Sequence, residues 1–257
     1  MDMIPAIFVS HGAPTLPFDD CPARTFLRGL GKSLPRPKAI LVASAHWDTD
    51  APIVNDVGRN DTIHDFSGFP QPLYELRYPA PGSHETVAVA LNALAQAGLP
   101  CSTDTSRGLD HGAWVPLLLM YPEADIPVVQ LSIQSGKGVA HHIALGKALA
   151  PLREQGVLVL GTGSFTHNLR LLDRGGHGGP EPQWSKAFSD WVHEKLMARD
   201  DAALAAYRKL APDAAVAQPT DDHFVPLFVA YGAGGTPSRL HSSTTFGSLR
   251  MDAYAFA

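Results

Sequence analysis

Cysteine is scarce: Cys21 and Cys101 are the two in 257 residues, and they form no CxxC pair. Two thiols cannot build a disulfide framework, so the chain must rest on an ordinary core, and unpaired thiols point to a reducing compartment. An excess of positive charge is also missing. Twenty Lys plus Arg against twenty-five Asp plus Glu give a formal charge of −5, which excludes the basic footprint of a nucleic-acid binder. No apolar run approaches the roughly 20 residues needed to cross a bilayer. The N-terminal run IPAIFV follows no basic stretch and leads into His11-Gly12 instead of a small-residue cleavage site. These absences predict a soluble, cytoplasmic protein with no membrane or nucleic-acid partner; they leave its oligomeric state open.

Composition is otherwise that of a globular protein, 45% hydrophobic and 18% charged, with 22 Pro and 23 Gly spread along the chain. A length of 257 residues suits one large domain, and a single domain over residues 1–257 is predicted. Short apolar runs at 4–10, 39–45, 126–133 and 156–161 read as strands buried on both faces. Between and after them, 22–33, 84–98 (with Ser83 as N-cap), 137–152, 182–199, 201–210 and 222–231 read as helices. This alternation predicts an α/β fold with a mostly parallel sheet and helices on both faces. The stretch 49–81 has no period and is rich in Pro and Gly, which suggests a wall or lid over a site. Residues 174–180 (RGGHGGP) read as a short flexible turn.

What is plentiful is histidine, twelve in all, and three of them stand at or just beyond strand ends: His11, His46 and His167. Parallel strands bring their C-terminal ends to one edge, where residues distant in sequence can converge. A lone strand-end histidine is more often a hydrogen-bonded structural residue, but several on neighbouring strands suggest a metal site. The small residues of GTGSFT before His167 would leave space for a ligand; they lack the Lys-Ser/Thr of a phosphate loop and the spacing of a dinucleotide fingerprint. In TDDHFVP, Asp222 could cap a helix, with His223 in its first turn, where the positive helix end favours a neutral imidazole. His111 precedes a helix as a cap or a functional residue, and His64-Asp65 could be a loop Asx-turn. His84, His141, His142, His177, His193 and His241 show no clustering and read as solvated or structural.

Taken together, SHGAPT at His11, SAHW at His46, HDFSGFP at His64, LDHGAWVPL at His111, GTGSFTHNL at His167 and DDHFVPLFVA at His223 resemble the DODA-type extradiol ring-cleaving dioxygenases. These belong to the class III superfamily that includes the catalytic subunit of protocatechuate 4,5-dioxygenase. Each motif is modest alone, but in register they span nearly the whole chain.

The resemblance implies one divalent metal ion, Fe(II) for activity or Zn(II) as bound, held at the strand ends by His11, His46 and His223. His167 would face the substrate as the acid-base group, or swing in as a fourth ligand. Related class III enzymes use a glutamate as third ligand, so His223, beside Asp221 and Asp222, departs from their pattern, and a carboxylate from Asp222 stays open. It also implies a small aromatic diol and O2 as partners, with His111, His64, Phe66, Phe69 and Trp114 around the substrate. A catechol must lose protons on binding and receive one back as the ring opens to a semialdehyde, work an imidazole can do near neutrality. Two rivals remain at this level: a metal chelatase or zinc hydrolase, although HExxH is absent, and a non-enzymatic metal-binding protein on the same scaffold.

Overall fold

The computed structural model describes residues 3–173, 176 and 179–257. The turn expected at 174–180, including His177, lies largely outside the described residues. Four buried strands form the centre of the sheet: β1 (Ala6–Ser10), β2 (Ala39–Asp48), β5 (Val128–Ile133) and β6 (Val157–Gly163), numbered in chain order. They run parallel in the order β5-β2-β6-β1. On one flank, β3 (Ile53–Asn55) pairs antiparallel with β5 and parallel with β4 (Ser102–Asp104). On the other, β10 (Ala253–Phe256) and β7 (Pro237–His241) add two antiparallel pairings, completing eight strands in the order β4-β3-β5-β2-β6-β1-β10-β7. The short strands β8 (Thr244–Thr245) and β9 (Leu249–Arg250) pair separately.

Side chains alternate across the central strands, so each face carries its own core. Phe8, Leu41, Ala43, Leu131 and Val159 pack under α3 (His84–Gln96), α5 (Gly138–Leu149), α6 (Gln183–Met197) and α10 (Pro226–Ala233). Ile7, Val9, Ile40, Val42 and Leu160 face α1 (Pro22–Ser33) and α4 (His111–Met120). Helices therefore cover both faces, as expected of a sheet whose strands read as unbroken apolar runs. No helix among the described residues is long and apolar enough to cross a membrane.

Several boundaries differ from the sequence reading, each for a local reason. The helix expected over 137–152 ends at Leu149 and continues as a 3₁₀ segment, Ala150–Gln155, because Pro151 has no N–H to extend the α ladder. The helix expected over 201–210 breaks at Ala206 into α7 (Asp201–Ala205) and α8 (Tyr207–Leu210), where Tyr207 and Arg208 both turn to the Asp221 carboxylate. The stretch 49–81 is less irregular than expected, since it contains β3 and the short helix α2 (Gln71–Glu75). The remaining helix, α9 (Ala214–Ala217), is a single turn before the site loop.

Candidate metal centre and cavity

His11 is the first residue after β1, with its N–H donating to the Gly163 carbonyl at 3.0 Å. Gly12 follows at φ +67°, a left-handed turn that glycine adopts without strain. His46 lies within β2 and not beyond its end, in a stretch where the register with β5 shifts between Ala43 and Asp48. Such an irregularity re-aims side chains off the regular pleat. Gly112, at the start of α4, gives the ring room: a Cβ there would stand 2.8 Å from His46 Cδ2 and 2.5 Å from Ser44 Oγ. Ser44 Oγ in turn donates to Asp110 at 2.6 Å, and Arg107 joins the Asp110 carboxylate to the His46 carbonyl.

His223 sits in the turn before α10, which begins at Pro226, so Asp222 is not the helix cap the sequence suggested. Proline at the first helical position supplies the start, and the Asp222 carboxylate accepts from His223 Nδ1 at 2.7 Å instead. The space expected beside GTGSFT is not open to a ligand. Gly161 and Gly163 belong to β6, and a Cβ on Gly163 would come within 2.1 Å of the His223 carbonyl oxygen. Small residues are needed there so that the His223 turn can lie against the strand, fixed by Ser164 N–H donating to the same carbonyl at 2.8 Å.

The result is a convergence of imidazoles. His46 Nε2 stands 3.2 Å from His11 Nε2 and 3.2 Å from His223 Nε2. The His223 Nδ1 donates to Asp222, and His46 Nδ1 lies 3.3 Å from Asp65 Oδ2, so both rings direct bare Nε2 lone pairs at one another. Two lone pairs at that separation repel unless a cation lies between them. Ligands about 2.1 Å from an ion at octahedral to tetrahedral angles are themselves roughly 3.0–3.4 Å apart, so the trio fits a metal ion.

Burial pushes His11 well below its ordinary value, reinforced by His46, His223, His111 and His167. His46 is driven to about 2 by burial, then by His111 and His223, against the opposing pull of Asp65. His11 and His46 are therefore neutral rings, the form that binds metal.

Asp65 spans two imidazoles, with Oδ1 3.0 Å from His111 Nδ1 and Oδ2 3.3 Å from His46 Nδ1. Burial alone would raise its carboxyl, but the His111 hydrogen bond and neighbouring charge outweigh this and hold it at about 2. His167 stacks flat on His223, ring centroids 3.4 Å apart and 9° from parallel. His167 is in neither of the groups of converging ligand atoms among the described residues, which are His11, His46 and His223, and His46, Asp65 and His111. Burial, then His223, lowers His167 to about 3 against the opposing charge of Asp222.

A cavity of about 850 Å³ opens over the trio, with His111, His167, Phe66, Phe69, Leu172 and Phe246 among its lining, within the usual range for small-molecule sites. Two residues expected around the substrate do not reach it. Trp114 is fully buried and donates its indole N–H to the Ile63 carbonyl at 2.9 Å. His64 turns back to the Leu76 carbonyl at 3.1 Å. Both support Phe66 from behind, at centroid distances of 6.3 and 5.7 Å. Two further residues of the site, Asp110 beside Ser44 and Arg107 and Asp65 beside His46 and His111, lie inside the motifs at His111 and His64, where the sequence marks Asp65 only as a turn residue.

An α/β sheet with imidazoles from the end of β1, from β2 and from the turn before α10 converging beneath an aromatic-walled cavity has the features of a metal-dependent enzyme. The family described as the catalytic LigB subunit of aromatic ring-opening dioxygenase matches residues 5–256. A 4,5-DOPA dioxygenase extradiol from Beta vulgaris is 46% identical over 256 residues, covering 97% of this chain and 95% of that protein. Its namesake from Escherichia coli K12 is 39% identical over 234 residues, covering 90% and 85%. A crystal structure of an uncharacterized protein from Escherichia coli K12 superposes with a TM-score of 0.81 at 32% identity, covering 99% of this chain and all of that one. The chain belongs to the LigB family and is an extradiol aromatic ring-opening dioxygenase. These matches favour that activity over the chelatase, hydrolase and non-enzymatic readings.

Proposed function

We propose that the chain inserts both atoms of O2 into a catechol, L-DOPA-like or a related vicinal diol, beside its two hydroxyls, giving a ring-opened semialdehyde. The observation that carries this reading is the meeting of three Nε2 atoms at the floor of an aromatic-walled cavity. His11, His46 and His223 would hold one divalent ion, Fe(II) for turnover and Zn(II) as an alternative occupant, since an all-imidazole set suits both. When bound, Fe(II) would acidify the catechol hydroxyls and relay electrons from the diol ring to O2.

The protein's own groups do the rest. His167, kept neutral by burial, has a lone pair free to accept a hydroxyl proton, and a diol anion beside it would favour the protonated ring that later returns the proton. With Nδ1 turned to Asp65, His111 has Nε2 available to accept a hydrogen bond from the substrate. Phe66 and Phe69, edge to face at 5.4 Å, form an apolar wall that suits an aromatic ring and limits water. The whole chain would be one catalytic domain, and its two free thiols suit the cytoplasm.

The test is anaerobic loading with Fe(II), then air and a panel of catechols including L-DOPA. Stoichiometric oxygen uptake with a yellow ring-opened product is expected. Full iron occupancy with no uptake on any vicinal diol would defeat the proposal.

A further inference from the structure

We infer that Asp65 is a positioning residue that sets the tautomers of two imidazoles at once, the metal-ligating His46 and the cavity-facing His111. The inference rests on the metal-centre reading above. Its geometry is independent of where the substrate lies. A carboxylate accepts but does not donate, so each Nδ1 it meets must carry the proton. His111 is held twice, by its ring Nδ1 at 3.0 Å and its backbone N–H at 2.9 Å, both to Oδ1. The other oxygen faces His46 Nδ1 at 3.3 Å. One carboxylate thereby leaves both Nε2 atoms as lone pairs on the cavity side and holds the two ring centroids 3.9 Å apart.

Asp65 is itself placed by backbone. Ile63 N–H donates to the Leu109 carbonyl and Leu109 N–H to the Asp61 carbonyl, each at 2.8 Å, tying its loop to the approach of α4. The close pass is possible because residue 108 is glycine; a Cβ there would lie 2.2 Å from the Asp61 carbonyl oxygen. The next residue after Asp65 is Phe66, whose ring meets His111 edge to face at 5.6 Å. The same anchor therefore joins the ligand, the second histidine and the aromatic wall.

The same three groups, His46, Asp65 and His111, could also be imagined as ligands of a second ion. The two hydrogen bonds from His111 to Oδ1, with His46 Nδ1 3.3 Å from Oδ2, argue for the acceptor role, and stoichiometry separates the two.

The test uses the full-length protein with Zn(II), which needs no turnover. In the wild type, titration calorimetry should give one ion per chain, and nitrogen-15 imidazole spectra of the loaded protein should show His46 and His111 both protonated at Nδ1. Asp65→Asn should weaken Zn(II) binding by about 10- to 100-fold and convert part or all of His111 to the Nε2-protonated form, with Asp65→Glu recovering the Nδ1 signal. An Nε2-protonated His111 in the wild type, two ions per chain, or an Asp65→Asn protein with unchanged affinity and tautomers would each overturn the inference. The wild-type spectrum decides it even if the variants fail to fold. A wild type that binds no Zn(II) would instead defeat the metal-centre reading.

Discussion

His167 and His223 lie face to face, yet only His223 points a nitrogen at the other two rings. Removing His167 should therefore spare the ion and remove the proton carrier. His167→Ala is expected to retain one metal per chain, measured by elemental analysis, while oxygen uptake falls by about 10²- to 10⁴-fold. Unimpaired uptake would refute the acid-base role. Gly112 makes the complementary case, because a methyl there meets the His46 ring and Ser44 Oγ at sub-contact distances. Gly112→Ala should weaken Zn(II) binding by about tenfold or more through displaced His46, as read by calorimetry, with unchanged affinity counting against the packing argument. At this scale the strand-end histidines were legible, since apolar runs ending in His are visible by eye. Asp65 was not: its partners lie 19 residues before it, at His46, and 46 residues after it, at His111, and no local pattern announces a carboxylate shared across such spans.

The elements carry the ligands by close backbone approach. β6 ends in Gly161-Thr162-Gly163 so that the His223 turn and the start of α10 can lie against it, with a Cβ at Gly161 meeting the Pro226 carbonyl oxygen at 2.2 Å. Gly163→Ala must push that turn away. Overpacking against backbone should destabilise the chain by about 1–3 kcal/mol or more, lowering the urea midpoint and loosening Zn(II) binding together. If the midpoint is unchanged, the glycine has another purpose.

Elements with strong signals were readable in advance. α1 has the expected bounds, between Pro22 at its start and the prolines beyond its end, and α3 begins behind Ser83, whose side chain accepts from Thr86 N–H at 3.1 Å. β3, β4 and β7 to β10 were not read. They run two to five residues, too short to establish a period, and their pairing is set by the rest of the sheet. The extent of β2 through His46 was missed for a related reason: polar residues close an apolar run in sequence, while the ladder with β5 resumes at Asp48.

For the molecule as a whole, pH should act on stability through buried histidines. His142 is fully buried on α5, with Nδ1 donating to the Gly138 carbonyl at 2.7 Å and Nε2 accepting from Gln134 N–H at 3.2 Å. Only the neutral ring satisfies both partners, and burial lowers it to about 4 from the ordinary 6.5. The unfolded chain binds this proton below about 6.5 while the folded chain does not, so stability is intact above that value and is lost as pH falls towards 4. Urea midpoints of metal-free protein should drop between about pH 7 and 5, with a shallower slope in His142→Gln; equal slopes would assign the dependence elsewhere.

The sheet itself, parallel at its centre and covered on both faces, followed from the alternation of apolar runs and helical segments. The antiparallel pairings on its two flanks did not. Binding of an ion to the native state alone should raise stability by about 2.7 kcal/mol at a hundredfold excess over Kd, a link between fold and site that sequence cannot quantify.

The most direct measurement is calorimetric titration of metal-free protein with Zn(II), repeated on His11→Ala, His46→Ala and His223→Ala. One ion per wild-type chain, with binding abolished or cut by orders of magnitude in each variant, is the predicted result. A wild-type chain that takes no ion, or variants that bind one ion as tightly as the parent, would contradict the shared centre.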